Sequence, residues 1–231
     1  MLETLGGRIV DVARDRAPGW FHQLAGRAVA AQAQRESWVE LALVRLIAVL
    51  SAEGIASLPL KGPLLSKALY RQAGRRPCAD IDLLVTSEDL PRAVDAAVGL
   101  GYARPADPVG HDGLPRLHFR LLDPGGLPPL ELHWRVHWYE SRFSRDMLLR
   151  SRARSHGVRR ARLADELASL LLFYARDGLA DLRLACDLAA WCDAFGAQLE
   201  PGAVGALVAC YPALGRPLMA AAAAAERTVG F

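Results

Sequence analysis

The sequence predicts an α+β fold, and three observations lead there. Strand-like runs are confined to the middle of the chain, at residues 55–60, 79–85, 117–122 and 130–138. Apolar residues at helical spacing precede them over 20–54 and return after Ser141. With 231 residues, 52% of them apolar, the chain can bury one large core or two small ones. These observations divide the chain into an N-terminal helical segment over residues 1–54 that packs on the core, a core over 55–140, and a C-terminal helical domain over 141–231.

The bulk composition excludes more than it identifies. The net charge of +3 and the pI near 8.8 are mildly basic. Arginine carries nearly all of that charge, since Lys61 and Lys67 are the only lysines. The abundance of Ala and Gly attributes the arginines to a GC-rich coding genome as well as it would to an anionic partner. No basic stripe is interleaved with aromatics and no nucleic-acid motif occurs, so nucleic acid is not an expected partner. Cys78, Cys186, Cys192 and Cys210 form no C-x-x-C pair. They read as reduced, buried thiols in a cytoplasm, with neither a zinc site nor a disulfide framework. The N-terminus carries acidic residues and lacks an apolar core, so no signal peptide is expected. No run approaches the roughly 18 apolar residues of a membrane span.

Residues 1–19 read as a short helix ended by Pro18-Gly19. A long helix follows over 20–54, with Trp38, Leu41, Ala42, Arg45, Leu46 and Val49 as its buried stripe and Gly54 as its stop. A strand over 55–60 breaks at Lys61-Gly62, and Pro63 at the first turn opens a helix over 64–70. Strand, glycine turn and helix in that order present backbone N–H groups to a phosphate, and Lys61 adds a point charge. Arg71, Arg75 and Arg76 occupy the next loop, as solvated residues or as contacts to carboxylates or phosphate. After the strand at 79–85, Thr86 and Asp89 resemble a capping box for a helix over 90–100. A hairpin joins 117–122 to 130–138 through the Asp123-Pro-Gly-Gly turn. Its second strand alternates, with Leu130, Leu132, Trp134, Val136 and Trp138 on one face and Glu131, His133, Arg135 and His137 on the other. An Arg/Ser-rich stretch over 142–162 leads to helices over 164–175, 179–195, 203–210 and 214–227, with stops at Gly178, Gly196 and Pro201. In the second of these helices Asp187 and Asp193 read as solvated or salt-bridged.

The chemistry-bearing pattern is the D-x-D of Asp80 and Asp82. Side chains i and i+2 of a strand share a face about 6–7 Å apart, so both carboxylates can reach one cation while Ile81 points away. Mg²⁺ takes few protein carboxylates and fills its open positions with phosphate oxygens. Taken alone, the pair equally suits a solvent-exposed strand edge. Glu131, on the polar face of the later strand, supplies a third carboxylate that either abuts the pair or faces water. His133 and His137 stand two pleats apart, roughly 13 Å, too far to chelate one ion, and His111 and His118 lie on a loop and a strand edge, so no zinc site is expected among the histidines.

In order and spacing, L-P-L-K-G-P-L-L-S-K-A-L-Y, the Arg76–Val85 segment R-x-x-x-D-I-D-L-L-V, Gly101-Tyr102 and L-E-L-H-W at 130–134 resemble the uncharacterised nucleotidyltransferase family of the DNA polymerase beta superfamily. The resemblance covers about residues 55–195, including D-L-A at Asp187. It implies a polymerase-beta-like core, a small mixed sheet flanked by helices, followed by a helical domain that helps close a nucleotide cleft. It implies Asp80 and Asp82 as the metal-binding pair, Glu131 as the third carboxylate, Lys61-Gly62 as the nucleotide-phosphate turn and Arg76 as the arginine preceding the pair. Relatives carry histidine where this chain has Tyr174-Ala-Arg-Asp177, and they extend further at the C-terminus. The implied activity is Mg²⁺-dependent transfer of a nucleoside monophosphate from an NTP, with ATP the expected donor and Mn²⁺ a substitute for Mg²⁺, to a hydroxyl of a small molecule, peptide or protein. Asp80, Asp82 and Glu131 would hold the metal and Lys61, Gly62 and Arg76 the phosphates. The alternative is a non-catalytic nucleotide-binding or accessory module in a peptide or natural-product pathway.

Overall fold

The computed structural model describes residues 17–106, 108–154 and 157–230. The helix expected over residues 1–19 lies outside the described residues up to position 16. Helix α1 (Gly19–Ala52) follows Pro18 and runs for 34 residues without an internal proline. It ends where Gly54, at φ 74°, lets the Ile55 and Gly54 N–H groups close back on the carbonyls of Leu50 and Ser51.

Of the expected stripe of α1, Ala42 and Leu46 are buried and Val49 packs against the core, but the stripe is centred on Val39, Leu43, Ile47 and Leu50. Trp38 and Leu41 are 46% and 63% exposed, and Arg45 is exposed too. Both sets have helical spacing. The observed phase keeps the Arg45 guanidinium in solvent, and the buried Glu36 of this helix accepts a hydrogen bond from the Gly74 N–H.

Strands β1 (Leu58–Pro59), β2 (Ile81–Leu84), β3 (His118–Leu121) and β4 (Leu130–His133) form one mixed sheet in the order β1-β2-β4-β3. β2 and β4 are parallel at its centre, and the flanking pairs are antiparallel. Helix α2 (Gly62–Leu69) follows β1, and helix α3 (Leu90–Gly99) follows β2. Thr86 Oγ accepts from the Asp89 N–H at the start of α3, as the expected cap requires.

Alternation along the strands sorts the two faces. Ile81, Leu83, Leu121, Leu130 and Leu132 pack with α1 and α3 in one apolar cluster. Leu58 and Leu84 face a second cluster, built with helix α5 (Leu163–Arg176), helix α6 (Leu182–Phe195) and helix α8 (Gly215–Val229). Asp82, Glu131 and His133 belong to that second face by their odd–even position. The small mixed sheet with flanking helices is therefore the expected fold class.

β4 ends at His133, five residues before the alternation of the sequence does. The chain turns there because the Val136 N–H is taken by Ser144 Oγ at 2.9 Å and Glu140 Oε1 at 3.2 Å, and Trp134 Nε1 donates to the Pro115 carbonyl. Val136 is still fully buried, in the second cluster, which explains why its apolar character mimics a longer strand.

The Arg/Ser-rich stretch is structured as well. It forms helix α4 (Arg142–Arg150) and a small hairpin of β5 (Arg152–Ala153) and β6 (Arg159–Arg160). Helix α7 (Ala203–Cys210) and α8 complete the chain. All four cysteines are free, with Cys78 buried and, against expectation, Cys210 exposed. Among the described residues no single helix is long and apolar enough to cross a membrane.

Candidate active site

The parallel register of β2 on β4 aligns Asp82 with Glu131, so the two carboxylates stand side by side on the face covered by α5. Asp80 lies two residues before Asp82 and is coupled electrostatically to both. Lys61, at the end of the segment that follows β1, reaches across to Asp82 Oδ1 at 3.1 Å. Four sequence-predicted residues, Lys61, Asp80, Asp82 and Glu131, are thus brought together.

Electrostatics separates the carboxylates. Asp82 is only 2% exposed at its side chain, and burial works against its charge. The Lys61 ammonium and the hydrogen bond from His133 outweigh that and hold the Asp82 carboxyl well below the usual range. At Asp80 burial first, then repulsion from Asp82, outweighs the pull of Lys61 and Arg183 and pushes the carboxyl up. Burial also raises Glu131, but the His133 hydrogen bond leads the contributions that bring it net below its ordinary value.

This donor set fits a divalent cation. The oxygens are hard, they come from three carboxylates, Asp82 and Glu131 on one sheet face and Asp80 directly before β2, and Asp80 carries repulsion that a cation between it and Asp82 would remove. Asp80, Asp82 and Glu131 would hold it.

His133, whose spacing from His137 argued against a shared ion, belongs to the site through other partners. Its side chain is fully buried, and its Nε2 lies 3.1 Å from Asp82 Oδ1 and 3.3 Å from Glu131 Oε2. His118 sits opposite it in the antiparallel register of β3 on β4, with Nε2 3.7 Å from the same Glu131 oxygen. The signal available in the sequence was Glu131 and His133 at strand spacing; the partner on β3 depended on register.

Helix α5 closes the site from above. The buried Phe173 ring lies under Lys61 Nζ, 4.1 Å from its centroid, and beside the His133 ring at 5.8 Å. Arg176 stacks on the other part of this aromatic surface at 4.5 Å and carries a buried Nη1 without a protein partner. It stands in the segment where relatives were expected to carry histidine. Arg183, at the start of α6, adds positive potential at Asp80.

Arg76 is placed elsewhere. Its Nε donates to Asp187 Oδ2 at 2.8 Å, with both side chains buried, and its Nη1 approaches the Pro77 carbonyl and Cys78 Sγ. Tyr70 donates to the other Asp187 oxygen. The expected salt-bridged reading of Asp187 is the observed one, and its partner is the arginine expected at the phosphates. Gly62 begins α2 at φ 77° directly after Lys61.

The profile of the uncharacterised nucleotidyltransferase family matches residues 4–230. Among solved structures, the chain is similar to the antibiotic-resistance factor ANT(2'')-Ia, whose solution structure is described as having substrate-regulated conformation dynamics. That match has a TM-score of 0.52 and 15% identity, and it covers 80% of this chain and 97% of the other. It establishes a shared fold. No match is found among curated proteins.

Proposed function

The chain belongs to the uncharacterised nucleotidyltransferase family, and from that premise we propose that it moves a nucleoside monophosphate from an NTP, ATP by expectation, to an acceptor hydroxyl, releasing pyrophosphate. The observation that carries this reading is the convergence of Asp82 and Glu131, on one sheet face, with Asp80 directly before β2, beside Lys61. A divalent ion bound there, Mg²⁺ or Mn²⁺, would supply charge neutralisation for the triphosphate and its departing pyrophosphate. The protein's own groups account for the rest. Lys61 keeps Asp82 ionised and offers its ammonium to a phosphate oxygen. His133 holds the Asp82 and Glu131 carboxylates in register, so their oxygens do not reorganise when substrate arrives. Glu131, ionised and partly open to solvent, accepts the proton from the acceptor hydroxyl at a carboxylate oxygen. Phe173, under the Lys61 ammonium, gives the site an apolar wall on the α5 side. The free thiols suit a reducing, cytoplasmic compartment.

The acceptor is a small molecule, peptide or protein, and the fold shared with an antibiotic-resistance factor makes antibiotics one class to include in a panel. The test is pyrophosphate release from ATP with Mg²⁺ across sugars, antibiotics and peptides. The wild-type protein is expected to turn over with at least one acceptor, and Asp80→Ala and Asp82→Ala to fall to background. Full activity in either variant defeats the mechanism. Nucleotide binding measured by calorimetry, with no product from any acceptor, supports the non-catalytic module instead.

A further inference from the structure

The sheet register brings together a second donor set that the oxygen-only reading leaves unexplained. His118 on β3 and His133 on β4 are direct cross-strand partners, and their ring centroids are 4.6 Å apart. Glu131 lies two residues before His133 and shares its face. One ligand atom from each of His118, Glu131 and His133 falls within 4.8 Å of the others. The arrangement is specific at the atomic level, because the Nδ1 atoms of both rings are buried and have no protein partner. Both Nε2 atoms approach the same oxygen, Glu131 Oε2, at 3.3 and 3.7 Å, and His133 Nε2 also lies 3.1 Å from Asp82 Oδ1, a hydrogen bond that a metal ion bound at this nitrogen would replace.

We infer that His118, Glu131 and His133 form a binding site for a divalent transition-metal ion of the zinc class, adjoining the Asp80–Asp82 pair and sharing Glu131 with it. Two imidazoles and one carboxylate are the donors of three-ligand zinc sites that keep a fourth position open. Imidazole nitrogen suits Zn²⁺, Co²⁺ and their neighbours, whereas Mg²⁺ takes oxygen. Atoms 3.3 and 3.7 Å apart are spaced as two ligands of one ion at about 2.0–2.2 Å are spaced. The position is anchored, since His133 is fully buried against Phe173. It is also accessible, since His118 is 24% and Glu131 20% exposed at the side chain. The two carboxylate oxygens of Glu131 allow it to serve both neighbours.

The test uses untagged, metal-stripped protein titrated with Co²⁺ in the presence of excess Mg²⁺, which fills an oxygen-only site. Visible absorption reports nitrogen-containing, low-coordinate Co²⁺. One Co²⁺ per chain is expected, displaceable by Zn²⁺. His118→Ala, whose folding is checked by circular dichroism, weakens binding roughly tenfold or more, and Asp80→Asn leaves it within about threefold. No Co²⁺ uptake beside Mg²⁺, an undiminished affinity in His118→Ala, or an equal loss in Asp80→Asn would each overturn the assignment. Transfer activity is a separate matter. A protein that binds Co²⁺ through His118 and transfers no nucleotide refutes the enzymatic reading and leaves this site standing.

Discussion

Arg76 and Asp187 are 111 residues apart in sequence and 2.8 Å apart in the fold. The pair is a buried ion pair, and its two halves give different outcomes when one is removed. A lone carboxylate at a site with no exposed surface pays the full cost of desolvation, about 3–5 kcal/mol for a broken buried pair. Arg76→Ala is expected to lose stability of that order in urea unfolding, while the double variant Arg76→Met/Asp187→Leu recovers most of it. Had Arg76 served the phosphates, the same Arg76→Ala change would raise the KM for the nucleotide and leave unfolding almost untouched. That distinction was not legible in the sequence. The R-x-x-x-D-x-D spacing gives the arginine and the carboxylates one neighbourhood, but nothing local signals that a helix over a hundred residues later delivers a carboxylate to it. Asp80, Asp82, Glu131 and Lys61 were legible, because strand period and the turn before a helix are local properties. The histidines were half legible. Glu131 and His133 share a face by period two, but the identity of the residue opposite His133 is set by hairpin register.

At the scale of elements, the loop between α2 and β2 leads into Asp80 and is anchored on α1. Gly74 in that loop has φ 78°, and a Cβ there would lie 2.3 Å from the Val29 carbonyl oxygen of α1 and 3.0 Å from the Ala33 nitrogen. Neither neighbour can yield, because both are helix backbone. The Gly74 N–H donates to the buried Glu36 carboxylate at 2.8 Å, so the loop is pinned to the same helix by a charge-assisted hydrogen bond. Gly74→Ala combines an unfavourable left-handed conformation with a backbone clash and is expected to cost roughly 2 kcal/mol or more. Its second consequence is functional. The loop shifts away from α1 and carries Asp80 with it, so pyrophosphate release should drop more than in Gly26→Ala, where a Cβ meets nothing within 4 Å. Equal activity in the two variants, measured at a temperature where both are folded, would show that the loop does not position Asp80. Element type was readable in the described helices after residue 162, where apolar periodicity persists, but not in α4, whose Arg/Ser-rich composition hides its helical spacing. Element phase and ends were less so. The buried stripe of α1 overlaps an equally periodic one only at Ala42 and Leu46, and β4 stopped where side chains of the following helix captured its backbone.

For the whole molecule, the sheet has one apolar face under α1 and α3 and one mixed face under α5, α6 and α8, and two neutral acids help hold these layers. Tyr102, 3% exposed, lies just after α3 and donates its hydroxyl to the Pro128 carbonyl at 2.9 Å, tying the end of that helix to the segment entering β4. Cys78, 1% exposed, lies beneath Arg76 on the approach to β2. Burial pushes the Tyr102 hydroxyl from 10.0 up to about 12, with the Asp123 charge adding to it. Burial likewise pushes the Cys78 thiol from 9.0 up to about 11, against the opposing pull of Arg76. Both groups therefore stay protonated in the folded chain after they have ionised in the unfolded one. The unfolded state binds fewer protons in that interval, so stability must fall as pH rises, from about pH 9 for Cys78 and from about pH 10 for Tyr102, levelling near pH 12. Each group contributes a slope of up to about 1.4 kcal/mol per pH unit within its window. Urea unfolding across pH 8 to 12 is expected to show that decline in two overlapping steps. Cys78→Ala should flatten the lower part of the decline and Tyr102→Phe the upper part, with Cys192 and Tyr211, also pushed up by burial, leaving a shallower remainder; the readout is the slope, whatever each change does to stability at neutral pH. A wild-type profile that stays flat to pH 11 would mean that neither acid is held neutral by the packing of these layers.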